Sequence, residues 1–384
     1  MTKLKEITRH VKPDTERELW ARSAGRCEFK SCNRLLIKSP VTQESVNIAD
    51  KAHIYSFSEK GPRGWGFFRY ALRKINDSSN LLLVCHDCHK NIDKANGADY
   101  LAELLQKWKA EHENRIRTVT GISPDRKSNV IFYCARIGEQ DSPLDFNLCA
   151  TAMFGMERFP EDDRPILLST KYEHEDNQTN YWKIEADHLR ASYDKQIGRI
   201  TNNGRDHKHF SLFGFAPQPL LILFGILFTD IADVDVYQLH REPRTWEWLD
   251  KPDNEKFIIS EPDNFNYSPV LVISLSDKIC HERITAVIGS NISIWELSIN
   301  DCNNDFLKSE AQLSEFRKIM RKLMVSIKTK HGQGTPLSIF PAMPLACAIE
   351  LGRIRMPKAE MPWIIYDQNN KEKKFIKALN IPEV

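Results

Sequence analysis

Two cysteine pairs, Cys27-x4-Cys32 and Cys85-x2-Cys88, bracket the tripeptide Ala52-His53-Ile54. Four thiolates paired in this way suit a closed tetrahedral zinc site, which holds a small domain together and does no chemistry of its own. The second pair opens the run Cys85-His86-Asp87-Cys88-His89-Lys90-Asn91-Ile92-Asp93. His53, Asn80, His89 and Asp93 are then left for another task, and phosphodiester hydrolysis fits them. That reaction needs a nucleophilic water, a base to deprotonate it, and a cation to stabilise the phosphorane and the leaving oxygen. His53 has the titration range of a general base. His89 and Asp93 lie four apart at the start of an expected helix and so share one face. One imidazole nitrogen and one carboxylate oxygen leave positions open on Mg2+ or Mn2+. Asn80 can brace the base-bearing loop through its amide. His86, inside the knuckle, is not expected to be a ligand.

The whole chain limits where such chemistry would operate. Its 384 residues are enough for two or three domains, and 41% of them are hydrophobic. The most apolar run, Pro219 to Phe228, is too short to span a bilayer. Met1-Thr2-Lys3-Leu4 opens no secretory signal, so a cytoplasmic location without membrane attachment is expected. In that compartment paired cysteines favour metal over disulfide. Residues 1–120 hold 22 Lys+Arg against 15 Asp+Glu, and the remainder holds 32 against 37, giving +7 and −5. A basic first third suits a polyanion such as DNA.

The elements that must position these residues can be read in outline. A helix starts at Pro13 and ends at Gly25. Residues 46–57 are strand-like around His53, and 60–64 form a loop. Asn80 to Val84 is a short apolar strand, and a helix begins near His89. Another runs from Ala98 to about Arg117, with Leu101, Leu104, Leu105 and Trp108 at helical spacing. Gly121 to Asp125 breaks it and marks a domain boundary. Beyond it, apolar strands alternate with helices. Strands are expected at 130–137, 165–169, 209–215, 234–239, 270–275, 292–299 and 337–341. Helices are expected at 216–228, at 313–330 and from Pro344. Phe215-Ala216-Pro217-Gln218-Pro219-Leu220 matches Phe340-Pro341-Ala342-Met343-Pro344-Leu345 in outline, so two similar α/β units fill residues 126–384.

With Ala52-His53-Ile54, Asn80 to Val84, the Cys85–His89 run and Asp93 on the page, the first third resembles the HNH nucleases of the ββα-metal family. The resemblance implies that His53 is the general base, Asn80 structural and His89 a metal ligand, with Asp93 where some members place a second ligand. Many members carry Asp or His just before the base. Ala52 stands there instead, so the ligand set is either His89 and Asp93 alone or one that Asp50 reaches in to complete.

The remainder resembles a SAVED domain, two fused CARF-like units of Rossmann type. The residues carrying this are His209 to Leu220, Val236 to Arg241, Trp246-Glu247-Trp248, Val272 to Ser276 and Pro341 to Leu345. The chain as a whole is similar to the HNH–SAVED effector nucleases of CBASS anti-phage systems. Its expected domains are 1–122 (HNH) and 126–384 (SAVED), in an overall α/β architecture. The resemblance implies a cyclic di- or trinucleotide ligand. Binding would drive homo-oligomers, dimer converting to tetramer, and assembly would switch on degradation of double-stranded DNA. Open α/β sheets bind ligands beyond the carboxyl ends of their strands, which makes Ser274, Ser276, Lys278, Phe215, Pro217 and Arg136 candidate contacts. Trp182 and Lys208 join them as a stacking surface and a cation.

Two other functions use the same residues differently. An ungated, restriction-like nuclease would read DNA with its second half, and would want that half basic rather than acidic. A non-catalytic zinc module on a ligand sensor would tolerate loss of His53.

Overall fold

The computed structural model describes residues 10–135, 144–169, 180–198, 208–249, 256–356, 360–369 and 374–382. The chain divides into two compact units, Met1–Ile122 and Ser123–Val384.

The first unit is built from α1 (Pro13–Ser23), β1 (Ala49–His53), β2 (Leu81–Cys85), α2 (His86–Asp93) and α3 (Ala102–Gly121). Proline at the N-terminus and Asp14 and Glu16 in the first turn start α1, and Ala24 in the left-handed region ends it. β1 and β2 pair antiparallel, with Ala49 opposite Cys85 and His53 opposite Leu81. Every residue of β2 is buried, which suits its unbroken Leu-Leu-Leu-Val run. The second helix begins at His86, directly from the strand, rather than near His89, so both histidines lie on it. The third begins at Ala102 rather than Ala98 and runs on to Gly121. The core is small and includes Leu36, Ile54, Leu82, Val84, Ile92 and Leu105 packed among three of the cysteines. Glu28 is buried in this unit. Its Oε2 accepts from Leu83 N at 2.6 Å, while Oε1 stands 3.7 Å from Lys109 Nζ. Burial pushes its carboxyl up to about 7, against the pull of Lys109.

The second unit holds two sheets. In the first, β3 (Lys127–Cys134) lies parallel to β6 (His209–Phe215), which is followed by α6 (Gln218–Phe228) and β7 (Asp233–Val236). The short β4 (Phe159–Pro160) and β5 (Ile166–Leu167) flank β3, after α4 (Phe146–Gly155), and α5 (Tyr181–Gln196) packs on α6. The second sheet has the order β13-β12-β11-β9-β10-β8. Its strands are β8 (Ile258–Ser260), β9 (Ser268–Ser274), β10 (Ile292–Ser298), β11 (Leu337–Ala342), β12 (Trp363–Asn369) and β13 (Lys374–Ile381). The central pairings β10–β9, β9–β11 and β11–β12 are parallel, with antiparallel strands at both edges. Helices α7 (His281–Ile288), α8 (Glu310–His331) and α9 (Leu345–Arg353) connect them. Parallel strands need crossover connections, which accounts for the alternation in the sequence.

The internal repeat is real but its register differs from the sequence reading. The prolines that precede α6 and α9 are Pro217 and Pro344, not Pro219 and Pro344. Phe213 stacks on Tyr237 at 4.4 Å, and Phe340 stacks on Tyr366 at 4.4 Å. Trp246 meets Phe213 edge-on, as Phe375 meets Phe340. The two helices cross at a pair of glycines. A Cβ on Gly225 would lie 1.9 Å from the Ile349 carbonyl oxygen, and one on Gly352 would lie 1.9 Å from that of Ile222. Gly225 and Gly352, Ile222 and Ile349, Pro217 and Pro344, and Phe213 and Phe340 are each 127 residues apart.

Two outcomes test this packing. Gly225→Ala should destabilise the second unit by about 3 kcal/mol despite its better helix propensity, because the backbones must separate; urea unfolding measures it. For Glu28, a raised pKa means the folded state binds the proton more tightly than the unfolded one. Its contribution is therefore complete below about pH 4.5 and is lost as pH rises to about 7. Relative to Glu28→Gln, the natural chain should lose on the order of 3 kcal/mol across that window.

Candidate functional site

The four cysteine sulfurs lie within 4.8 Å of one another. Cys32 Sγ and Cys85 Sγ are 3.9 Å apart, where Zn–S bonds of about 2.3 Å in a tetrahedron put sulfurs about 3.8 Å apart. Ser31 and Asn33 take left-handed backbone angles to turn the first pair inward. The Cys85 amide donates to Cys27 Sγ at 3.3 Å, and the Arg34 guanidinium, held by Asp87 at 3.0 Å, lies 3.9 Å from Cys85 Sγ. Burial pushes the Cys27 thiol up to about 12 and the Cys88 thiol further. Those two are costly as bare thiolates, and the four sulfurs together are a donor set that fits one zinc ion.

β1 and α2 open onto a cleft of about 590 Å³ lined by Asp50, His53, Arg63, His89 and Asp93 among others. His53 ends β1, and its Nε2 is 2.8 Å from Asn76 Oδ1. Asn76 Nδ2 donates to the His10 carbonyl, so Oδ1 is the atom that accepts from His53. That fixes the proton on Nε2 and places the lone pair on Nδ1. Asn80 is buried and spends its whole amide on the loop after the histidine. Oδ1 accepts from Tyr55 N at 2.9 Å, and Nδ2 donates to Tyr55 O at 2.9 Å and Ile75 O at 2.8 Å.

Across the cleft, His89 sits between two carboxylates. Its Nδ1 is 3.2 Å from Asp50 Oδ2, and its Nε2 is 3.5 Å from Asp93 Oδ2. Asp93 and then Asp50 hold its pKa above the ordinary value against partial burial. Burial pushes the Asp50 carboxyl up, but hydrogen bonds from His86 and His89 outweigh it and hold it below its ordinary value. Asp93 is likewise held low by His89 and Arg63 against burial. The two carboxylates flank opposite edges of the ring, so an ion on one His89 nitrogen has one of them, not both, beside it. Imidazole with carboxylate is a donor set that fits Mg2+ or Mn2+.

Three participants went unread in the sequence. His86 Nδ1 is 2.9 Å from Asp50 Oδ2, so it orients that carboxylate. Asn76 holds His53. Arg63, assigned only to a loop, bonds the carbonyls of His53, Ile54 and Ile92 at 3.0, 2.5 and 3.1 Å and Asp93 Oδ1 at 3.1 Å. It ties the strand bearing the base to the helix bearing His89. The one sequence signal was Gly61-Pro62-Arg63-Gly64, where Arg63 itself has φ +61°. Gly97 makes room for it, since a Cβ there would lie 2.3 Å from Arg63 Nη1.

In the second unit the candidate contacts separate. Phe215 and Pro217 are half-buried at the carboxyl end of β6. Ser276 donates its amide to Ala342 O, and Gln218 Oε1 accepts from Met343 N, which brings the ends of β6, β9 and β11 together. Lys278 is exposed just beyond. Ser274 does not belong with them. It is fully buried, donates to Glu296 at 2.8 Å and accepts from Ile279 N. Lys208 is also misplaced. It precedes β6, at the amino end of the sheet, 3.6 Å from Glu161. Trp182 is half-buried against the main core, edge-on to Tyr181. Arg136 lies outside the described residues.

Residues 32–96 match the HNH endonuclease family, and residues 193–381 match the SAVED family, described as an SMODS-associated sensor domain fused to various effectors. The chain is an HNH endonuclease domain fused to a SAVED sensor domain. The HNH match spans Cys32, His53, Asn80, Cys85, Cys88, His89 and Asp93. Among solved structures, the chain is similar to the Cap4 SAVED/CARF-domain receptor of Acinetobacter baumannii with the cyclic trinucleotide 2'3'3'-cAAA, at 12% identity and TM-score 0.43. The match covers 82% of this chain and 60% of that one. The Moraxella osloensis Cap4 receptor is similar at 13% identity and TM-score 0.38, covering 73% and 60%. The chain thus spans about 60% of the length of these relatives. No curated protein matches the sequence. Among the described residues no helix is long and apolar enough to cross a membrane.

Cys85→Ser should strip the metal and unfold the HNH region, because binding energy there is folding energy. Elemental analysis should fall from about one zinc per chain to near none, with thermal unfolding of that region lost.

Proposed function

We propose that this protein is a metal-dependent endonuclease that cuts double-stranded DNA when a cyclic di- or trinucleotide occupies its SAVED domain, as an anti-phage effector. The observation that carries the nuclease reading is the pairing of His53, its tautomer fixed by Asn76, with the Asp50–His89–Asp93 group in the same cleft. The strand pair and helix that hold them form a ββα-metal unit within residues 1–122.

In this reading His53 Nδ1 takes the proton from the attacking water, and its Nε2–H stays with Asn76. Asn80 holds the loop on which the base stands. His89 holds a divalent cation with Asp93 or Asp50, and His86 and Arg63 orient those carboxylates. The bound cation supplies charge stabilisation for the phosphorane and the leaving oxygen. The four cysteines hold structural zinc.

Residues 126–384 act as the sensor, two CARF-like units of Rossmann type. Their repeated β–Pro–α turns, ending at Phe215–Pro217 and Ala342–Pro344, present helix N-termini suited to phosphates, and Phe215 adds one half-buried aromatic suited to a base. The net charge of −5 beyond residue 120 favours a sensing task over DNA reading. Binding would convert dimers to tetramers, and only a ligand with higher affinity for the assembled form can do so.

His53→Ala should lower cleavage of plasmid DNA at least about 100-fold with zinc content unchanged. The natural chain should cut in Mg2+ or Mn2+ only with an active member of a cyclic di- and trinucleotide panel, and light scattering should show mass rising with the cutting rate. Equal cutting without ligand would leave an ungated nuclease, and full cutting by His53→Ala would remove the base from the mechanism.

A further inference from the structure

The segment between the two strands of the HNH region leaves and returns at the base. It departs through Tyr55, whose backbone is held by Asn80, and comes back at Asn76, which bonds His53. Between them it exposes side chains that a solvent-facing loop has no need to carry. Phe67 is 59% exposed and Tyr70 is 91% exposed. Arg69, Arg73 and Lys74 are exposed beside them. Arg69 pairs with the exposed Glu59 at 2.6 Å.

The exposure is built in. Phe67 stands edge-on against Tyr55 at 5.1 Å and stacks on Phe68 at 4.3 Å. Gly66 makes the approach, with φ +50° and no room for a Cβ, which would lie 2.2 Å from Tyr55. Phe68 and Ile75 are buried and anchor the segment from below. The exposed aromatic therefore rests on the residue two places after the base. Arg73 and Lys74 lie three and two residues before Asn76, within about 7–11 Å of chain from it.

We propose that Phe67, Arg69, Tyr70, Arg73 and Lys74 form the surface by which the HNH region grips duplex DNA beside its cleft. This rests on the nuclease reading and names the contact that reading leaves open. Three cations on one short segment fit phosphates, and two exposed aromatics, Phe67 braced by Tyr55 and Phe68 and Tyr70 three residues on, fit a sugar–base face or a wedge into the minor groove. The same charges would repel a second copy presenting this face to its twin.

The test uses the full chain carrying His53→Ala, so that DNA is bound and not cut. Anisotropy of a labelled 20-bp duplex and of one of its strands is read at several salt concentrations, with and without each member of the cyclic oligonucleotide panel. Adding Arg73→Glu and Lys74→Glu should weaken duplex binding at least tenfold and lower the salt slope by about two. Adding Phe67→Ala and Tyr70→Ala should weaken it about tenfold and leave the salt slope unchanged. In the His53-intact chain the same changes should slow cutting in parallel, with zinc content retained. If the His53→Ala chain binds duplex and the His53-intact chain cuts it while all four changes leave both as they were, this surface is wrong and the nuclease reading stands. If the changes alter mass by light scattering but not duplex binding, the face is a protein contact and the proposal falls. If the His53→Ala chain binds no DNA and the His53-intact chain cuts none, both readings fall together.

Discussion

The HNH region depends on four sulfur atoms being held together. Its hydrophobic core is small, and Cys27, Cys85 and Cys88 are themselves members of it. A core of this size does not hold a short two-stranded pair and three helices unaided. The cluster joins the turn after α1 to the junction of β2 with α2, and that junction sets the helix phase. Once α2 starts at His86, His89 and Asp93 fall on the face toward β1, and Asp50 on β1 falls within reach of both histidines. A zinc ion on the four sulfurs would thus take no part in chemistry at the cleft but would fix the separation of β1 from α2. Removing a thiolate would then disturb both the cluster and the cleft, and removing His53 would leave the cluster intact.

Precision in the cleft comes from a second layer that spends charge and amide groups on backbone carbonyls. Asn80 and Arg63 together bond five carbonyl groups, from His53, Ile54, Tyr55, Ile75 and Ile92. None of these bonds touches a reacting atom. They give partners to carbonyls at the end of β1, in the last turn of α2 and in the segment between the two strands, and in doing so they fix the backbone around His53. Arg63 is suited to this because its planar fork reaches several acceptors at once, and lysine offers no such geometry.

This division explains what the sequence made legible. The four-cysteine cluster and the placing of His53, His89 and Asp93 in one cleft were readable because their spacing is local and each type has a narrow chemistry. The central strands and the helices between them were readable from apolar runs and Pro–Gly punctuation, with ends displaced by a few residues, but α4, α5, α7, β8, β12 and β13 were not. Arg63 was not, because its partners are backbone atoms from two elements that only the fold brings together. Ser274 looked like a tip hydroxyl, but it sits one residue inside the strand end and is closed off by Glu296. Lys208, a further candidate cation, stands at the opposite end of β6 from Phe215, about 20 Å away at the usual rise. The repeat was visible, but the proline pair chosen to align it was off by two. Only the glycine crossing, an ångström-scale constraint, fixes the register.

The sensor domain shows why a switch can live in such a fold. The Gly225–Gly352 crossing leaves the two central helices no slack, since each backbone already sits against the other. Gln218 and Gln238 of one repeat bond the backbone at Met343 and Ala346, at the start of the other repeat's helix. The strand tips of the two repeats therefore cannot shift independently. A close-packed interior responds to a ligand by changing between discrete arrangements rather than by bending. A molecule bound across the tips of β6, β9 and β11 would act on both repeats at once, through contacts that are short, buried and shared. The energy available to any such switch is the ligand's difference in affinity between the two arrangements. The rigidity of the crossing is what keeps that difference from being dissipated in local adjustment.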